Sequence, residues 1–326
     1  MALRTPFLAL LTALALLLTA CGGNTQGPNL VDPFIGGNIA INTYFQNGVP
    51  PPTVYDGGKF PFGVGIVIEN VGEADIGPGT DNPYVTMRIE GINPTNFGVT
   101  DAALHQVLSE TINGAQKNFD GTIIPGMIAN FVFENFNYQG RLQGNDLFTI
   151  RGTMCYDYEN FATMQVCFKD DIIENVQDST LCTLTGERLV ANSGGPIHVA
   201  NAIQNPLARN KVQVNFVLEH VGPGEFYGRG ATEDCNPSVR NANKYKVDVE
   251  VETQDPGASV VCARLGNSNR GTITLYGGSP QTLTCSITGG APSSRVYTDT
   301  LLIRTRYRYG QFLEQPIIVQ AVPTQD

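Results

Sequence analysis

Most of this chain alternates apolar and polar residues in short runs, separated by clusters of Gly, Pro and Asn. A period of two sends alternate side chains to opposite faces, so each run predicts a β-strand with one buried face. In the first half the pattern places strands near 64–71, 84–89, 128–133, 147–156 and 164–168. In the second half they fall near 198–203, 212–221, 246–252, 259–265, 272–276, 283–287, 300–309 and 317–322. Helical spacing occurs in one place, 100–112, where Ala103, Val107 and Ile112 share a helical face and Asp101 is placed to cap it. A short crossover helix near 100–112 is therefore expected.

The start of the chain breaks the pattern. Residues 7–18 are almost wholly apolar, follow a single positive charge at Arg4, and lead into Leu18-Thr19-Ala20-Cys21. This predicts a signal peptide over 1–20. The run is short for a spanning helix, which needs about 20 apolar residues. Cys21 at the first mature position resembles the lipobox of bacterial lipoproteins, and some archaeal surface proteins use a similar signal. That resemblance implies a diacylglycerol on the Cys21 thiol, a flexible tether over 21–30, and a folded body held at a membrane by acyl chains.

Composition agrees with an exported all-β protein. There are 36 Gly and 20 Pro but no Trp, and only 15% of residues are charged. The acidic balance is uneven: residues 28–181 hold 6 Lys+Arg and 18 Asp+Glu, a net of −12, while residues 182–326 hold 13 and 12, a net of +1. Phosphate neutralisation needs clustered cations, so a nucleic-acid partner is excluded.

Two pairs of segments look like copies. Residues 64–75 match residues 214–225, and both read as an alternating strand followed by a Gly-bearing turn. Tyr156-Asp157-Tyr158 matches Tyr307-Arg308-Tyr309, again in the same order within each half. Duplication then predicts two tandem Ig-like β-sandwich domains, 31–181 and 182–326. Alternation in the last strands sends Tyr307 and Tyr309 one way and Arg304, Arg306 and Arg308 the other.

Six cysteines follow Cys21, an even number that suggests three disulfides among fifteen conceivable pairings. A hairpin centred near Phe161 would place Cys155 opposite Cys167. Cys262 and Cys285 would join neighbouring strands, leaving Cys182 to Cys235.

From Met154 onward the chain resembles a family of uncharacterised secreted proteins of archaeal and environmental genomes. The residues that carry this are Cys155-Tyr156-Asp157-Tyr158, Val166-Cys167, Cys182, Ser193-Gly194-Gly195-Pro196-Ile197-His198-Val199, the Val221–Gly224 turn, Cys262, Cys285 and Tyr307-Arg308-Tyr309-Gly310. The resemblance implies export, this fold class and paired cysteines. It implies no catalytic residue.

Candidate chemistry is sparse. Asn192-Ser193-Gly194-Gly195-Pro196 resembles the nucleophile segment of trypsin-like proteases, and His105 precedes it. Asn192 replaces the usual aspartate and the His105 segment lacks the rest of its motif, so a Gly-Gly-Pro turn is the better reading. Glu73, Asp75 and Asp81 make a carboxylate-rich loop that could hold Ca²⁺, although the spacing is not that of an EF-hand. No other cofactor is suggested. His198 and His220 read as structural, and Tyr44, Phe45 and Tyr55 as packing residues that could instead stack on sugars. The Arg304/Arg306/Arg308 stripe needs compensation, either as a charged edge strand or as a docking surface for an anionic partner.

The expectation is a lipid-anchored, extracytoplasmic structural or adhesive surface protein. It would bind a protein or glycan partner, with self-assembly into a homo-oligomer or filament as one mode. A secreted hydrolase or a ligand-binding lipoprotein is the alternative.

Overall fold

A computed structural model describes residues 32–170, 182–230, 235–237, 241–290 and 296–322. The signal peptide 1–20, Cys21 and the tether 21–30 lie outside the described residues.

The chain is all-β. The first half supplies β1 (Ile41–Phe45), β2 (Thr53–Tyr55), β3 (Phe62–Asn70), β4 (Val85–Glu90), β5 (His105–Val107), β6 (Gln116–Lys117), β7 (Ile123–Ile124), β8 (Ile128–Phe136) and β9 (Asp146–Lys169). The second supplies β10 (Gly186–Arg188), β11 (Val190–Asn192), β12 (Ile197–Ala208), β13 (Lys211–His220), β14 (Glu225–Tyr227), β15 (Lys246–Thr253), β16 (Ser259–Cys262), β17 (Arg270–Thr274), β18 (Gln281–Thr288) and β19 (Val296–Gln320).

The order of pairing explains the architecture. One long sheet runs β17-β15-β19-β9-β4-β5, with the two halves meeting at β19 and β9. A smaller sheet, β1-β3-β8, backs the first half, and β10-β12-β13-β18-β16 backs the second. β9 and β19 are antiparallel without a register break from Asp146↔Val319 to Lys169↔Val296. The N-terminal part of each lies beside strands of its own half, and its C-terminal part reaches across to the other half. Thus β4 pairs with β9 over Arg151–Tyr156, whereas the far end of β9 packs against β12 and β13. The far end of β19 likewise packs against β1. The sequence division at 181/182 therefore separates two sets of strands, while one sheet joins them and Pro33–Asp326 forms one compact unit.

Strict alternation over these long strands sets the core. Even-numbered residues of β9 (Ile150, Met154, Tyr156, Tyr158, Ala162, Met164, Val166, Phe168) and odd-numbered residues of β19 (Leu301, Ile303, Tyr307, Tyr309, Ile317, Val319) are all buried on one side, under the two smaller sheets. At the centre, Tyr156 lies opposite Tyr309 and Tyr158 opposite Tyr307. Their rings pack edge-on or tilted, with centroids 5.8 Å apart for Tyr156–Tyr309 and 6.3 Å for Tyr158–Tyr307. Such ring pairs add about 0.5–1.5 kcal/mol each beyond burial.

The two matched motif pairs turn out to be contacts. Tyr158 Oη accepts from Ala74 N at 3.3 Å, and Tyr309 Oη accepts from Gly224 N at 2.6 Å. A Cβ on Gly72 would come within 2.0 Å of the Tyr158 hydroxyl, and one on Gly222 within 2.4 Å of the Tyr309 hydroxyl. Each Val-Gly turn is shaped to receive the tyrosine that closes its own half.

Three expectations are corrected. The helix expected over 100–112 is one 3-10 turn, Asp101–Leu104. Its cap is Thr100, whose Oγ1 accepts from Ala103 N at 3.2 Å, and not Asp101. The turn buries Leu104, after which β5 takes the free edge of β4 and leaves Val107 61% exposed. Backbone pairing at that edge outweighs a weak helical period.

The Cys155–Cys167 and Cys182–Cys235 disulfides are replaced by Cys155–Cys235 and Cys167–Cys182. The hairpin expected near Phe161 does not exist: 147–156 and 164–168 belong to the single strand β9. Cys155 and Cys167 are therefore separated along one strand by about 40 Å, far beyond disulfide reach. Cys262 and Cys285 face each other across β16 and β18 and are bonded.

Candidate functional site

The outer face of the long sheet carries the polar chemistry. Asp157 on β9 and Arg308 on β19 sit directly opposite each other near the centre, with Nε–Oδ1 at 2.9 Å and both side chains under a tenth exposed. The Arg308 guanidinium also stacks on Tyr84, 3.7 Å from the ring centroid. On either side of this pair, register lines up two related patches, one per half.

In the second-half patch, the rows are Asp248–Arg306–Glu159 and Glu250–Arg304–Phe161. Arg304 bonds Glu159 and Asp81, each at 2.5 Å, and Arg306 bonds Glu250 at 3.1 Å. The hydrogen bond and charge of Arg304 hold Asp81 below its ordinary carboxylate pKa. Burial draws the Arg304 guanidinium down, but its bonds to Asp81 and Glu159 outweigh that and hold it above its usual value. The compensation that the arginine stripe needs is thus supplied from within the chain. Arg308 is buried, and the anionic partners of Arg304, Arg306 and Arg308 are the protein's own carboxylates. The cavity left here is about 250 Å³.

In the first-half patch, the rows are Thr86–Cys155–Gly310, Arg88–Thr153–Phe312 and Glu90–Arg151–Glu314. Phe312 occupies the place of Phe161, and an arginine again stacks on it: Arg151 lies 4.5 Å from the ring centroid, compared with 5.4 Å for Arg304 on Phe161. Here the surface is not filled. An open cleft of about 670 Å³ lies over Arg88, Thr153 and Phe312, walled by the Pro223–Glu225 turn, Tyr227 and the Cys235 segment. The Cys155–Cys235 disulfide ties that wall to the floor. Glu225 is held by Tyr227 Oη at 2.8 Å and Lys244 Nζ at 2.7 Å, and Glu90 accepts from Thr153 Oγ1 at 2.7 Å. Burial and the Glu225 carboxylate push the Tyr227 hydroxyl well above its usual pKa.

The other candidates are dispersed. Glu73 accepts from Gly194 N at 2.6 Å and Ile35 N at 2.9 Å, Asp75 accepts from Gly114 N at 2.8 Å, and Asp81 pairs with Arg304. The three carboxylates expected as a Ca²⁺ loop therefore serve separate sets of partners. Among the described residues no group of three or more His, Cys, Asp or Glu could hold a metal. Ser193 is buried, and its Oγ accepts from Phe161 N at 2.9 Å, beside the far part of β9. His105 lies on β5 at the edge of the first half. His198 meets Gly37 O at 3.2 Å, and His220 meets Tyr309 Oη at 3.2 Å. Phe45 packs on the core, while Tyr44 and Tyr55 are each 42% exposed.

Pattern reading missed the Arg88, Arg151, Phe312 cleft. The residues lie on three strands from distant parts of the chain, and the one available signal was Phe312 itself, an aromatic on the polar side of an alternating strand.

No family model matches this chain, and no curated protein does. Three disulfides, with five of their six cysteines buried, are those of a chain that folds in an oxidising, extracytoplasmic environment. Among the described residues no helix is long and apolar enough to cross a membrane.

Proposed function

We propose that this chain is a lipid-anchored structural or adhesive protein of the cell surface, working by contact with a protein or glycan partner and with further copies of itself. The proposal extends to the secreted proteins it resembles from Met154 onward. Cys21 supplies the anchor through its acylated thiol, and the body projects from it. The observation that carries this reading is the β9–β19 pairing, which runs unbroken from Asp146↔Val319 to Lys169↔Val296 and makes one stiff sheet from two halves. A ladder of this length, with β9 fixed to neighbouring segments by Cys155–Cys235 and Cys167–Cys182, resists opening in a way suited to bearing load. The open cleft on the same sheet provides a contact site.

The test combines mass spectrometry of the native N-terminus with imaging of intact envelopes. An acylated Cys21 and protein arrayed on, or linking, cell surfaces is expected. A Cys21→Ser variant should be released into the medium. Dispersed protein with an unmodified terminus would refute the proposal.

A further inference from the structure

We infer that the cleft over Phe312 is a carbohydrate subsite that takes a neutral, hydroxyl-rich chain. This rests on the contact role proposed above and names the chemistry of the partner.

Phe312 keeps 61% of its surface exposed even with Arg151 stacked upon it. The ring sits in a concave floor, where an apolar platform has a use. The C–H faces of a pyranose are apolar and lie flat on an aromatic ring, while its equatorial hydroxyls point outward to polar neighbours. The neighbours present here suit hydroxyls: Thr153 lies directly opposite Phe312, Arg88 opposite Thr153, and Glu90 beside them. Arg and carboxylate groups are planar and can engage two adjacent hydroxyls at once. The cleft volume, about 670 Å³, falls within the range of small-ligand sites.

The charges of the cleft are already matched. Arg88 bonds Asp101 at 2.9 Å, Arg151 bonds Glu314 at 2.6 Å, and Lys244 bonds Glu225 at 2.7 Å. A charged ligand would have to displace one of these partners. A neutral one can use the N–H groups and lone pairs that each ion pair leaves over.

The second-half patch is an internal contrast. It has the same ring, Phe161, under the same kind of guanidinium, but Phe161 is partly buried and its Arg304 is tied into a network with Glu159, Arg306 and Glu250. Of these two rings, Phe312 is the one left open.

The test is calorimetric titration of the full chain, disulfides oxidised, with neutral hexasaccharides: an α-glucan, a β-glucan, a mannan fragment and a chitin fragment. Binding of at least one is expected, with affinity unchanged when salt is raised from low to physiological ionic strength. Phe312→Ala should weaken it about tenfold or more, and Arg88→Ala should weaken it as well. Phe161→Ala should leave it unchanged. Phe312 is exposed, so its variant should keep the parent's melting temperature, which separates lost binding from lost folding. No heat with any of the four sugars at millimolar concentration overturns the inference. So does binding that Phe312→Ala leaves intact, or binding confined to charged polymers and abolished by salt. If the protein is acylated and arrayed on cells yet silent in these titrations, the carbohydrate inference fails alone and the surface role stands.

Discussion

Replacing Asp157 by Leu should take away the carboxylate that faces the Arg308 guanidinium at the centre of the molecule. The two charges are 2.9 Å apart, with side chains 9% and 7% exposed. At an effective dielectric of about 20 their attraction is roughly 6 kcal/mol before desolvation is subtracted. Desolvation offsets most of that in the intact pair, but a buried guanidinium that loses its facing carboxylate keeps the penalty, so the single variant should lose up to about 3–5 kcal/mol, with the Tyr84 ring and the other contacts of Arg308 recovering part of it. With a urea m-value of about 3 kcal/mol/M, the midpoint should fall by roughly 1–1.7 M. The chain has no Trp and 12 Tyr, so tyrosine fluorescence follows the transition at the core. The double variant Asp157→Leu with Arg308→Met removes both charges and should recover most of the loss, or exceed the parent by about 1–4 kcal/mol. A single-variant cost below about 1 kcal/mol, or a coupling energy below about 0.5 kcal/mol in the full cycle, would show that the pair does not hold the two halves as argued.

Peptide mapping without reduction should yield cross-linked peptides joining Cys155 to Cys235 and Cys167 to Cys182; a Cys155–Cys167 peptide would contradict the continuous strand β9. Removing both Cys155 and Cys235, which enclose 80 residues, should cost about 4 kcal/mol in chemical denaturation, more than the roughly 3 kcal/mol for the 15-residue Cys167–Cys182 loop. Tyr309→Phe should cost about 1–2 kcal/mol by leaving Gly224 N without its acceptor, and Tyr158→Phe a similar amount at Ala74 N; stability changes at only one of the two sites would break their equivalence. Burial lowers the His220 pKa below 6.5, against the opposing pull of Glu225, so this imidazole binds its proton more weakly folded than unfolded. Its contribution is full above about 6.5 and is lost as pH falls through the lowered value. The backbone N–H groups of Leu142 and Val322 lower Asp56 from 3.8, so a further loss follows in stronger acid. An NMR titration placing His220 above 6.5 would refute the first step.

Alternation by itself determined a good deal. Runs such as 128–133, 212–221 and 246–252 fall on β8, β13 and β15, because one buried face forces a period of two wherever a sheet has a core on one side. The repeated Val-Gly and Tyr-x-Tyr segments were visible for a similarly local reason: Gly72 and Gly222 must lack a Cβ where the tyrosine hydroxyls rest. What the tertiary structure decided is how far a strand continues and what lies beside it. Asn160 and Gly310 read as turn residues, yet β9 and β19 run straight through them, because each strand's second half finds a ready partner in the other half of the molecule. That one change re-paired four cysteines and set the Arg304/Arg306/Arg308 stripe beside Asp157, Glu159 and Glu250 on the outer face of the sheet. It also assembled a cleft from Arg88, Thr153 and Phe312. Local patterning records which face of a strand is buried, but the neighbours across a ladder are set by register between segments far apart in the chain, and no local period encodes that.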